Sequence, residues 1–256
     1  MRNIGRYSKH YARMGNRPPD WLLGEAAPER FACRGPWLPR EKNARILDFG
    51  CGYGHMLLSL WCAGYHQLEG VELDQGQYEA AVRAAAGRCR IHLADGVEFL
   101  AERTDTYELI VLCDVIEHLE PGQVPEVLRR VHKALRRGGT VYVRTPNMSS
   151  LLGAYSRYLD FTHRCGFTEY SLIQVLDNAG FEDITLQPEP KGWCLSSWRP
   201  WLPWRGLGLR WLFNQLAHRL LYAARSQVPG PTTYALNLEA YARKGTSDAG
   251  SAFILA

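Results

Sequence analysis

ILDFGCGYG, residues 46–54, decides the fold of this chain. A short apolar run, Ile46 to Phe49, meets glycines at alternate positions, Gly50, Gly52 and Gly54, and an apolar-periodic segment, HMLLSLWCAG, follows at once. The order is strand, tight turn, helix. Glycine lets the backbone turn sharply and approach a ligand closely, and the first helical turn offers N–H groups that have no intrahelical partner. A dinucleotide fingerprint requires G-x-G-x-x-G, but position 55 is His55, and no G-K-[ST] follows to make a phosphate loop.

Outward from this stretch, aliphatic runs alternate with helical patterns. Strands are expected at 45–49, 67–72, 90–94, 107–113, 140–145, 181–187 and 233–244. Between them lie HMLLSLWCAG, QYEAAVRAAAG, VPEVLRRVHKAL and a helix that Thr168 caps and that runs through YSLIQVLDNAG. Such alternation predicts an α/β fold, a Rossmann-like, mainly parallel seven-stranded sheet with helices on both faces. Residues 1–43 read as a proline-punctuated lead-in or cap. Residues 44–190 and 233–245 form the sheet domain, 191–232 a helical insertion between the last two strands, and 246–256 a tail.

The 256 residues carry a net charge of +4, which conceals an uneven distribution. Residues 1–40 hold 8 basic against 3 acidic groups, residues 41–190 hold 14 against 21, and residues 191–238 hold 6 basic groups and no acid. An acidic body thus sits between basic segments. The seven cysteines are scattered and never form C-x-x-C, which argues against a disulfide framework or a zinc site and predicts a cytoplasmic protein. No apolar stretch reaches the ~18 residues that a membrane span needs.

Several acidic residues fall at strand C-termini, the edge where an open α/β sheet binds its ligand. Asp48 precedes the glycines, and Glu72 ends the second strand in GVELD, where a carboxylate can accept from both hydroxyls of a ribose. Asp95 and Gly96 end the third strand in LADG, and Asp114 ends the fourth in VLCDVIEHL.

ILDFGCGYG, GVELD, LADGVEFL and VLCDVIEHLEP with LRRGGTVYVRTPN, in this order, resemble the class I S-adenosylmethionine-dependent methyltransferases, including the ubiquinone O-methyltransferase branch. The resemblance covers about residues 44–187 and implies that S-adenosylmethionine is the cofactor. It assigns Asp48, Gly50, Cys51, Gly52 and Gly54 to its methionine and ribose side, Glu72 with Leu73 to the ribose, Asp95 and Gly96 to the adenine, and Cys113 and Asp114 to the rim nearest the methyl. The family more often has Asp where this chain has Glu72.

Transfer to a hydroxyl needs a base near that edge. His163 is the candidate, with Asp160 orienting it. His118 is a second histidine in reach, for which a structural role is the alternative. YLDFTHRCGFTEYSL resembles methyltransferases of bacterial polysaccharide and O-antigen biosynthesis, which implies a sugar hydroxyl, or a terminal phosphate, of a surface polysaccharide or its precursor. A backbone-bonding role for His163 and Asp160 stays open. No metal is expected, since Asp160 and His163 lack a third ligand nearby in sequence. Alternatives are a small-molecule O- or N-methyltransferase acting on a quinone-like or secondary-metabolite acceptor, and a non-catalytic scaffold.

The insertion holds five of the eight tryptophans, Trp193, Trp198, Trp201, Trp204 and Trp211, interleaved with arginines. Leu209, Leu212, Phe213, Leu216, Leu220 and Ala223 fall on one expected helical stripe, with His218 and Arg219 on the polar remainder. Peripheral contact of 196–226 with the inner face of the membrane, a lid on its own domain and a homodimer contact are all compatible with this pattern. Nucleic acid is not an expected partner, because the basic groups are few and no recognised module accompanies them.

Overall fold

The computed structural model describes residues 35–187, 216–221 and 231–246, together with Arg13, Pro18 and Ala223. The lead-in before residue 35 apart from Arg13 and Pro18, the tryptophans of the insertion and the tail beyond 246 lie outside the described residues.

Seven strands form one sheet: β1 (Arg45–Phe49), β2 (Gln67–Glu72), β3 (Arg90–Leu93), β4 (Tyr107–Cys113), β5 (Leu135–Pro146), β6 (Phe181–Leu186) and β7 (Asn237–Lys244), in the order β3-β2-β1-β4-β5-β7-β6. The first five strands pair in parallel, and β7 runs antiparallel to both β5 and β6. The expected Rossmann-like sheet is therefore present. Because β1 lies between β2 and β4, chain direction across the sheet reverses there, and the loops after β1 and β4 open a crevice.

The helices are α1 (His55–Cys62), α2 (Gln75–Ala85), α3 (Gly96–Ala101), α4 (Val124–Ala134), α5 (Gly153–Leu159) and α6 (Glu169–Asn178). Alternate residues of the central strands feed two cores, one on each face. Leu47, Ile110, Leu112 and Val143 pack with Leu100 of α3, Leu128 of α4 and Leu172 of α6. Ile46, Leu109, Val111 and Tyr142 pack with Leu57 and Leu60 of α1, Ala85 of α2 and Trp37. Near-continuous apolar strands reflect this double coverage. Thr168 caps α6 in a capping box with Ser171.

Four local features differ from the sequence expectation. Helices α3 and α5 have six and seven residues, too few to show a 3.6-residue period. Strand β5 begins at Leu135, which pairs with Tyr107, and an irregularity between Tyr107 and Leu109 absorbs the following residues. Strand β7 begins at Asn237 rather than 233, because Asn147 Nδ2 donates to the carbonyls of Thr233 (3.2 Å) and Ala235 (2.9 Å).

The fourth difference concerns the expected apolar stripe. Residues 216–221 are helical, but the element is anchored by a polar residue. His218, placed on the polar side by the sequence pattern, is fully buried; its Nε2 accepts from Leu151 N at 2.8 Å and its ring stacks on Tyr234. Leu216, Leu220 and Ala223 of the stripe are exposed. A hydrogen bond to an otherwise unpaired backbone amide fixes the rotation of this turn against the apolar periodicity.

Candidate functional site

Gly50, Gly52 and Gly54 all adopt positive φ, at 76°, 53° and 85°. These conformations strain any residue with a Cβ. A Cβ on Gly50 would also lie 2.7 Å from Val115 Cγ2, so the glycine lets the turn after β4 close on the turn after β1. Beside this loop stand two buried carboxylates, Asp48 at 2% and Glu72 at 8% exposure. Glu72 Oε2 accepts from Gly52 N, and Oε1 accepts from Leu73 N and Asp74 N, each at 2.8 Å. Glu72 therefore shapes the loop as well as ending β2. Burial, and then the Glu72 charge, pushes the Asp48 carboxyl up to about 8. Burial raises Glu72 too, against the pull of its backbone donors.

Those carboxylates fit the expected cofactor. S-adenosylmethionine brings a sulfonium and an ammonium cation, and a buried acidic pair disfavoured by desolvation gains from a cation more than a solvated pair does. Cys51 is buried in the turn, its N–H donating to Val71 O.

On the expected adenine side, Asp95 caps α3, its Oδ1 accepting from Val97 N at 2.8 Å. Gly96 has a packing reason of its own, since an added Cβ would collide with the edge of the Phe49 ring. At the rim, Cys113 ends β4 with a thiol that burial pushes far up. Asp114 adopts φ 54° and caps no helix; its Oδ2 receives Arg144 Nη1 at 2.8 Å. Arg144, near the C-terminal end of β5, is 5% exposed and places this ion pair at the sheet edge.

The turn that Val115 presses on the glycines continues as a 3-10 turn, Ile116–His118, and brings Glu117 and His118 against His163. One ligand atom from each of these three residues lies within 4.8 Å of the other two, and the two imidazoles meet edge to face at 4.7 Å. The hydrogen bonds define the tautomers. His163 Nδ1 faces the Ser156 carbonyl at 3.0 Å, and a carbonyl can only accept, so Nδ1 carries the proton and Nε2 the lone pair. Thr162 Oγ1 donates to Asp160 Oδ1 at 2.7 Å, so at 2.8 Å it accepts from His118 Nδ1. Burial, and then the neighbouring His163, pushes His118 down to about 4. Glu117 accepts from Thr145 Oγ1 at 3.0 Å through Oε2, while its buried Oε1 has no hydrogen-bond partner among the described residues. Burial, and then Asp114, pushes Glu117 up to about 8.

The expected pairing of Asp160 with His163 takes a different form. The Asp160 carboxylate accepts from the N–H and hydroxyl of Thr162, and so orients His118; toward His163, the Asp160 backbone carbonyl accepts from His163 N. Glu117, Thr145, Arg144 and Thr162 were not singled out from the sequence. A signal existed for two of them: Glu117 and Arg144 interrupt otherwise apolar runs, VIEHL and VYVRT, and a charge there must be paired or used.

A family model described as a methyltransferase domain matches residues 25–186. Human methyltransferase-like protein 27 is 30% identical over 168 residues, 63% of this chain and 62% of that protein. A ubiquinone biosynthesis O-methyltransferase of Aromatoleum aromaticum is 25% identical over 118 residues, 43% of this chain and 49% of that protein. The chain spans between about a third and three fifths of the length of the curated relatives it matches. Among solved structures, a methyltransferase of Thermotoga maritima described as S-adenosylmethionine-dependent and as a possible histamine N-methyltransferase superposes with a TM-score of 0.59 at 15% identity, covering 93% of this chain and 96% of that one. That likeness supports the fold.

Proposed function

This chain belongs to the methyltransferase-domain family of S-adenosylmethionine-dependent enzymes, and on that premise we propose that it methylates a hydroxyl of a sugar, or a terminal phosphate, in a surface polysaccharide or its precursor. The observation that carries the O-methyl reading is the tautomer of His163, with Nδ1 held by the Ser156 carbonyl and a basic Nε2 beside the turn that abuts the glycine loop. S-adenosylmethionine, when bound, would supply an electrophilic methyl on its sulfonium for in-line transfer, and His163 would take the proton that the acceptor hydroxyl gives up as its oxygen takes that methyl from sulfur. Asp160 supports the site through Thr162 and His118.

A second reading, a quinone-like or other small-molecule acceptor, is supported by the ubiquinone O-methyltransferase relative. Transfer of labelled methyl to a panel of glycolipid, nucleotide-sugar and quinol acceptors separates the two readings. Transfer only to the quinols would overturn the saccharide assignment. If neither S-adenosylmethionine nor S-adenosylhomocysteine bound in calorimetry, the non-catalytic scaffold would take precedence.

Peripheral membrane contact belongs to the same proposal. None of the described helices is long and apolar enough to cross a membrane. Support for contact comes from Leu216, Leu220 and Leu221, exposed next to Leu151 and Leu152, with Tyr155, Tyr158 and Phe161 also exposed on and after α5. Leucine and aromatic side chains flanked by Arg157 and Arg219 suit the headgroup level of an anionic bilayer. Flotation with anionic but not neutral liposomes is expected; a discrete dimer that does not float would favour the homodimer contact.

A further inference from the structure

The cluster after β4 has the residue composition and the imidazole hydrogen bonding of a metal centre, although the sequence alone offered no third ligand for His163. We propose that Glu117 Oε1, His118 Nε2 and His163 Nε2 bind one divalent transition-metal ion on the acceptor side of the site. Four features converge on it.

The donor set is two imidazoles and a carboxylate, which selects ions of the zinc, cobalt and manganese class over magnesium. Both imidazoles have Nδ1–H committed to an oxygen, the Ser156 carbonyl for His163 and the Asp160-bound hydroxyl of Thr162 for His118. This is the outer arrangement that orients histidine ligands and fixes their tautomer. Glu117 is 2% exposed, and its Oε1 makes no hydrogen bond among the described residues, an expensive condition for a carboxylate that a cation would relieve. One ligand atom of each residue already lies within 4.8 Å of those of the other two, and an ion at the centre requires bonds of ~2.0–2.2 Å.

The inference rests on the methyltransferase reading and changes the part played by His163. With three protein ligands, the ion keeps open positions that face the acceptor, and it can take one hydroxyl or two neighbouring ones. An ion there acidifies the hydroxyl, whose proton passes to water as oxygen takes the methyl from sulfur. With the ion bound His163 is its ligand, and the base role given to it above is that of the chain without the ion. The preferred acceptor class is one with vicinal hydroxyls, which a sugar ring supplies.

The experiment uses the full chain, stripped with a chelator and titrated with Co2+, with Zn2+ competition and Mg2+ as the contrast. S-adenosylhomocysteine binding is measured by calorimetry on the same samples. The expected result is one Co2+ per chain with a visible absorption band, displaced by Zn2+ and not by Mg2+. Glu117→Gln, which preserves shape and the Thr145 contact, and His163→Gln should each weaken Co2+ binding at least tenfold while leaving S-adenosylhomocysteine affinity within about twofold. Loss of turnover on chelation, restored by Zn2+ or Mn2+, is the expected functional counterpart. No Co2+ band, or Co2+ affinity unchanged in both variants, overturns the metal site while intact S-adenosylhomocysteine binding preserves the cofactor reading. Full turnover after exhaustive chelation returns His163 to the role of base.

Discussion

Asp48→Asn isolates the cost of keeping an acidic residue at the cofactor loop. The Asp48 carboxyl has an ordinary value of 3.8 and is held up to about 8 in the folded protein. The sign follows from proton counting: between these values the folded protein retains a proton that the unfolded chain has lost, so stability falls as pH rises. The slope is about 1.4 kcal/mol per pH unit, so by pH 7 the carboxyl has cost roughly 4 kcal/mol relative to strongly acid solution. Asparagine ionises in neither state. The cofactor-free variant should therefore be more stable than the parent by up to about 4 kcal/mol at pH 7, with a smaller gain near pH 5. Urea unfolding of both proteins from pH 5 to 8 measures this, and groups common to both and not coupled to Asp48, such as Glu117, cancel in the difference. A difference that does not change across that range, or an asparagine variant that is less stable at pH 7, refutes the reasoning. The gain in stability should be accompanied by weaker S-adenosylmethionine binding, since the carboxylate that a cation would stabilise is gone.

Glu72→Ala removes the acceptor of three backbone N–H groups as well as the expected ribose contact; calorimetry should show at least a tenfold loss of S-adenosylmethionine affinity, about 1.4 kcal/mol or more. Unchanged affinity would remove Glu72 from the cofactor site. Gly96→Ala pushes a methyl into the Phe49 ring, and thermal or urea unfolding should report an overpacking cost of about 1–3 kcal/mol. Stability equal to the parent would show that α3 shifts to make room.

The sequence carried the order of elements well because the signals are local. Strand β1, the three glycines and α1 are contiguous, and a sheet covered on both faces leaves apolar runs that are read directly. Short elements such as α3 and α5 left no period to read. Which face of the 216–221 turn meets the domain was not legible, because His218 is buried by a hydrogen bond to Leu151, a partner 67 residues away.

For the site, the division follows sequence distance in the same way. Glycines at fixed spacing and acidic residues at strand ends determine a cofactor loop and its carboxylates, since each lies where its own strand stops. The acceptor side depends on pairs brought together by folding: His118 with Thr162 across 44 residues, Thr145 with Glu117 across 28, and Arg144 with Asp114 across 30. Which nitrogen of His163 carries a lone pair depends on where the Ser156 carbonyl points. Hydrophobic periodicity constrains a residue's face, whereas protonation and ligation depend on particular atoms a few ångströms away, and only the tertiary structure sets those distances.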